Sequence, residues 1–126
     1  MNGHLAAQSI LATAFTTNVF YDEADQTNVL PFSIVKLDSV NPHDDKDGVS
    51  HFDDDFVYVT HFGATAKKAA EMALSARTAL DRKIAGTYNG IVTESVQFLT
   101  QRSDSEFIDN HTVKTIEQLY KLITKP

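Results

Sequence analysis

The segment DDDFVYVTH at Asp53 to His61, followed within one tight turn by AKKAAEMALSARTALDRKIA at Ala66 to Ala85, decides the fold of this chain. In the first part Phe56, Tyr58 and Thr60 alternate with Val57, Val59 and His61, the period-2 pattern of a strand with two usable faces. The period then changes. Ala69, Ala73, Ala76, Leu80 and Ile84 recur at i, i+4, i+7, i+11 and i+15, one stripe of a long α-helix. Small side chains on that stripe let the helix backbone lie close to whatever it covers, and the preceding strand needs one face covered. The expected architecture is therefore α+β: a mainly antiparallel sheet with one long helix packed on a face. Gly86, just after Arg82 and Lys83, is the expected left-handed residue that stops the helix, and Arg77 with Asp81 forms an i,i+4 pair on its solvent side.

Upstream, Ala7, Ile10, Leu11, Ala14 and Phe15 fall on one helical stripe, with Asn2 placed as a cap. This short N-terminal helix is expected to end near Thr16 and to sit beside or at the edge of the sheet. Asn18 to Tyr21 reads as a short strand and the polar segment Asp22 to Asn28 as a loop. Pro31 opens the next strand, Phe32 to Val40, in which Phe32, Ile34 and the stem of Lys36 form a wholly apolar face and Ser33, Val35 and Leu37 a mixed one. Asn41 to Phe52 is a long acidic loop. Downstream of the long helix, Asn89-Gly90 marks a turn, Ile91 to Gln101 a long strand, and Arg102 to Asn110 a polar loop. In Thr112 to Ile123 the residues Val113, Ile116, Leu119, Tyr120 and Ile123 fit a helical stripe, while the β-branched residues lower helical preference.

With 126 residues the chain is sized for a single domain, 1–126, with a real core. Hydrophobic residues at 42% and charged residues at 22% exclude wholesale disorder, and no apolar run reaches the length of a membrane span. No basic n-region precedes the first apolar positions, so a secretory signal is not expected. The absence of cysteine excludes disulfides and thiolate metal sites. The net charge is −6, and six aspartates (Asp44, Asp45, Asp47, Asp53, Asp54, Asp55) against Lys46 carry most of it. Such a cluster repels phosphate backbones, and with no basic stripe elsewhere specific nucleic-acid binding is not expected.

The order and spacing of these segments resembles the tail-completion, or tail-terminator, family of long-tailed bacteriophages, the lambda U-like group. The resemblance rests on Asn18-Val-Phe-Tyr-Asp22 after the first helix, Leu30-Pro-Phe32, Phe56 to His61, and Phe98-Leu-Thr-Gln-Arg-Ser-Asp104. It spans nearly the whole chain and contains no sharp chemical motif. The family pattern ends in a strand, loosely matched by Gln118-Leu119-Tyr120, which selects the strand reading for Thr112 to Ile123 and gives Ile91 to Gln101 a neighbour it would otherwise lack. The resemblance implies a non-catalytic virion protein without cofactors. It would form a hexameric ring that caps the tail tube, ends polymerisation and presents a surface to the head-neck connector. Its partners would be further copies of itself, the tail-tube protein and the connector, with neither membrane nor specific nucleic acid. The candidate oligomer or lumen surface is Asp44, Asp45, Asp47, Asp53, Asp54 and Asp55, whose charge would repel a passing genome, together with Gln101 and Arg102.

Two alternatives remain open at this level. One is a head-closure or neck component of similar fold. The other is a small metal-dependent hydrolase using His43, His51 and the Asp44 to Asp55 cluster. Against a calcium loop numbered from His43, Asp45, Asp47, Gly48 and Asp54 fall at positions 3, 5, 6 and 12, but position 1 is histidine, position 12 lacks the bidentate glutamate, and the flanks read as strands. No phosphate-binding glycine loop or nucleophile elbow is present, and Ser9, Ser33 and Ser95 have no base partner visible in the sequence. The aromatic group Phe52, Phe56, Tyr58 and Phe62 points to core or interface.

Overall fold

The computed structural model describes residues 2–15, 18–21, 30–42, 52–83, 85–108 and 111–125. The elements in chain order are α1 (Gly3–Ala14), β1 (Asn18–Tyr21), β2 (Phe32–Pro42), β3 (Asp53–Gly63), α2 (Ala66–Leu80), β4 (Gly86–Tyr88), β5 (Ile91–Ile108) and β6 (His111–Thr124). One six-stranded sheet runs in the order β1-β2-β3-β6-β5-β4. The segments expected at Asp22 to Asn28 and Asn41 to Phe52, with His43 and His51, fall almost wholly outside the described residues.

The expected fold class is corrected. The protein is mostly strand, its sheet is mixed and curled, and it carries two short helices of 12 and 15 residues in place of one long helix on a mainly antiparallel sheet. The mixture comes from β1, which pairs parallel to β2 from Asn18↔Phe32 to Tyr21↔Val35. Parallel pairing means that β1 and β2 start from the same end of the sheet. The curl has visible sources in register shifts at Leu37/Ser39, Thr93/Ser95 and Phe98/Thr100, since extra residues bend a strand and increase its twist.

The helix expected to run to Ala85 stops at Leu80 because Asp81 leaves helical geometry (ψ 127°) and Arg82 takes the left-handed conformation (φ 58°). The Asp81 carboxylate accepts the Phe98 N–H at 3.0 Å, and the Arg82 N–H donates to the Val96 carbonyl at 2.9 Å. Two contacts to β5 thus outweigh further turns of helix, and Gly86 opens β4 instead of closing α2. The polar stretch Arg102 to Ile108 also departs from the expected loop: it is the distal half of β5, paired with β6 as far as Ile108↔His111. Residues 102–105 are exposed and polar, so no hydrophobic alternation marks them as strand.

Both helices lie on one face. Ala6, Ala7, Ile10 and Leu11 of α1 meet Ala76 and Leu80 of α2 and Val35, Val57, Val59, Val96, Tyr120 and Leu122 of the sheet in a continuous core. A smaller cluster of Ala69, Ala73 and Ile116 extends it. The alanine stripe therefore does what its small side chains permit, bringing the α2 backbone to the sheet. Thr65 caps α2 by accepting the Lys68 N–H at 3.1 Å. Gly63, at the end of β3, passes so close that a Cβ there would meet the Ala69 nitrogen at 2.9 Å. The strand reading of Thr112 to Ile123 agrees with β6, which fills the position between β3 and β5.

Candidate assembly surface

The two faces of the sheet are chemically unequal. With α1 and α2 on one side, the other has no second layer among the described residues. Cross-strand registers place Phe32 opposite Phe62, Ile34 opposite Thr60, and Tyr58 opposite both Lys36 and Leu119 on this uncovered face. Phe32 and Phe62 stack with centroids 4.8 Å apart, and Phe20 meets Phe32 edge-on at 6.1 Å. Neighbouring side chains half-bury one another, leaving a depression of about 360 Å³ lined among others by Ile34, Tyr58, Thr60 and Phe62. Lys36, Asp38 and Glu117 edge it. An aromatic patch with a charged rim is the composition of a protein–protein interface. The sequence pointed to Phe52, Phe56, Tyr58 and Phe62, of which Tyr58 and Phe62 line this depression. It also showed the apolar face of Phe32 and Ile34 but did not tell which side of β2 the helices cover; Ser33 and Val35 are the buried pair.

The acidic cluster separates into unlike residues. Asp55 is fully buried, and its Oδ2 accepts the Gly3 N–H and the Thr124 hydroxyl, each at 2.7 Å. It caps α1 from a strand 52 residues away, where the helix dipole favours an anion. Asn2, expected as the cap, is left-handed (φ 62°) and makes no side-chain cap bond. Asp53 is buried too, and Asp54 is half-buried and paired with Lys121 at 3.8 Å. Asp53 and Asp55 are thus inside the chain and Asp54 at its surface. Asp44, Asp45 and Asp47 lie outside the described residues. Of the remaining candidates, Gln101 and Arg102 are exposed on β5: Gln101 Oε1 accepts from Gln118 Nε2 at 3.0 Å, and Arg102 pairs with Glu117 at 3.3 Å.

Ser33, which the sequence left without a base partner, lies 2.7 Å from His61 Nδ1. His61 Nε2 is 2.8 Å from Gln118 Oε1, which also accepts the Tyr120 hydroxyl at 3.1 Å. Gln118 Nε2 donates to the Ala73 carbonyl at 2.9 Å. Because the Gln118 amide nitrogen is occupied as a donor, its oxygen fixes His61 as the Nε2–H tautomer and leaves Nδ1 to accept from Ser33. Burial lowers the His61 pKa to about 4, against a smaller upward pull from Gln118. Burial also pushes the Tyr120 phenol up, reinforced by the Asp81 charge and opposed by Arg77. Order and spacing here resemble a serine–histidine pair, but Ser33, His61 and Gln118 are fully buried. The network joins β2, β3, β6 and α2 and opens to no substrate. Among the described residues no group of three or more histidine, aspartate or glutamate side chains is placed to hold a metal, and no helix is long and apolar enough to cross a membrane.

No family model and no curated protein matches this chain. Among solved structures, the fold is similar to a chain from the virion of a native gene transfer agent particle, with a TM-score of 0.59 and 17% identity over 98% of this chain and 90% of that one. The likeness therefore concerns the complete architecture, helices and sheet together.

Proposed function

We propose that this chain is a structural subunit of a phage-like virion, acting at the tail end as a tail-completion protein. The observation that carries this reading is the fold shared with a virion chain over nearly the full length of both proteins. The uncovered aromatic face supports it, because a subunit of a larger particle needs a surface that is finished only by its neighbours. In this reading several copies, six in the expected ring, close around the end of the tail tube. The ring stops tube polymerisation and meets the head-neck connector. The work is done by surface complementarity without turnover: the histidine–serine pair holds the sheet together, and Phe32, Tyr58 and Phe62 supply apolar contact area.

Imaging particles made without this chain tests the reading. Tails of abnormal length, left unjoined to heads, are the expected result. Tails of normal length that fail to join would move the chain to the neck as a head-closure component. Normal tails on normally joined heads would refute both.

A further inference from the structure

The edge of the sheet is unevenly finished. β4 pairs only with Ile91, Val92 and Thr93, so from Glu94 onward β5 has no strand on its outer side among the described residues. Two outward groups are capped locally: the Val96 carbonyl by the Arg82 N–H and the Phe98 N–H by Asp81. After the register shift at Phe98/Thr100 the alternation of an antiparallel ladder turns Gln101, Ser103 and Ser105 outward, while Thr100, Arg102 and Asp104 bond to β6. The Ser105 N–H agrees with that direction, being held at 2.7 Å by the carboxylate of neighbouring Asp104. Gln101 and Ser103 present backbone N–H groups with no partner among the described residues.

We infer that this edge pairs with the same edge of a second copy, antiparallel and two-fold, centred on Ser103. In that register Ser103 exchanges both backbone hydrogen bonds with Ser103 of the second copy, and Gln101 does so with Ser105 of the second copy. Arg102 then stands opposite Asp104 of the second copy, and Asp104 opposite Arg102 of the second copy, so two opposite-charge cross-strand pairs form by symmetry. Each Asp104 carboxylate leaves the Ser105 N–H, which the incoming Gln101 carbonyl now occupies, and turns to the guanidinium. Arg102 has donors for both Glu117 and Asp104. Sliding the centre to Gln101 would set Arg102 opposite Thr100 of the second copy, and sliding it to Ser105 would set Arg102 opposite Ile108, so either slip loses both opposite-charge pairs. Charge therefore selects one register. The contact closes after two copies and is separate from the head-to-tail contacts a ring requires, so it stands or falls independently of the proposed function.

Sedimentation of the full chain over a concentration series tests it. The wild type should pass to twice the 14.0 kDa chain mass with a dissociation constant of roughly micromolar order, as suits a short edge. Ser103→Pro removes an outward N–H and should abolish the dimer while the circular dichroism spectrum stays unchanged. Arg102→Asp and Asp104→Arg should each weaken it at least roughly tenfold, and the double exchange should restore it. A chain that stays monomeric at about 100 micromolar, an assembly indifferent to Ser103→Pro, or charge reversals that do not rescue one another would each overturn the inference.

Discussion

Acid should unfold this protein through His61. Its ring is buried in the neutral form, receiving a hydrogen bond from Ser33 and donating one to Gln118, and its pKa in the folded chain is lowered from 6.5 to about 4. Between those values the unfolded chain binds a proton that the folded chain refuses. The stability this contributes is complete above the unfolded value and is lost as pH falls toward the folded one. At 1.36 kcal/mol per pKa unit, the difference corresponds to about 3 kcal/mol. That is a large share of the stability of a small domain, typically about 5–15 kcal/mol. Urea unfolding followed by circular dichroism from neutral pH down to about pH 4, on the wild type and on His61→Gln, isolates this component. The wild type should lose about 3 kcal/mol more than the variant over that range, even though the variant starts less stable. Equal losses in the two proteins, or an NMR titration of the folded chain placing His61 near its ordinary value, would show that His61 is not the group through which acid acts.

Other substitutions probe single contacts. Asp55→Ala strips the acceptor from the Gly3 N–H and the Thr124 hydroxyl and should cost about 2–3 kcal/mol, with faster hydrogen exchange at the start of α1. Gly63→Ala puts a methyl against the α2 backbone, which cannot swing aside as a side chain could, and should lower stability by about 1–3 kcal/mol in thermal unfolding. Thr65→Ala removes the cap of α2 at a cost of about 1 kcal/mol by the same measurement. Tyr58→Ser combined with Phe62→Ser should leave a folded chain whose incorporation into particles, measured by quantitative immunoblot, falls about tenfold, because interface aromatics carry a disproportionate share of binding.

The strands were legible wherever one side chain in two is apolar. β3 follows its alternation from Asp53, and the alanine stripe buries Ala69, Ala73, Ala76 and Leu80 as its period implies. Legibility failed where tertiary contacts decide. Nothing near Leu80 in the sequence announces that Asp81 will bind a backbone amide of β5, so α2 reads too long. Arg102 to Asn110 reads as a loop because its polar residues, of which 102–105 are exposed on β5, carry no hydrophobic period. The triad Asp53 to Asp55 reads as one acidic surface, although strand alternation buries its first and last members while the middle one faces Lys121. Ser33, His61 and Gln118 lie on three strands far apart in sequence, so their network could be found only once β2, β3 and β6 were placed side by side.

If the chain is a virion subunit as proposed, the uncovered aromatic face of its sheet is finished by a neighbouring protein. Electron cryo-microscopy of intact purified particles tests it most directly. Density for this chain should appear at the tail end, with Phe32, Tyr58 and Phe62 covered by a neighbouring subunit. Particles from which the chain is absent, or in which that face is open to solvent, would contradict it.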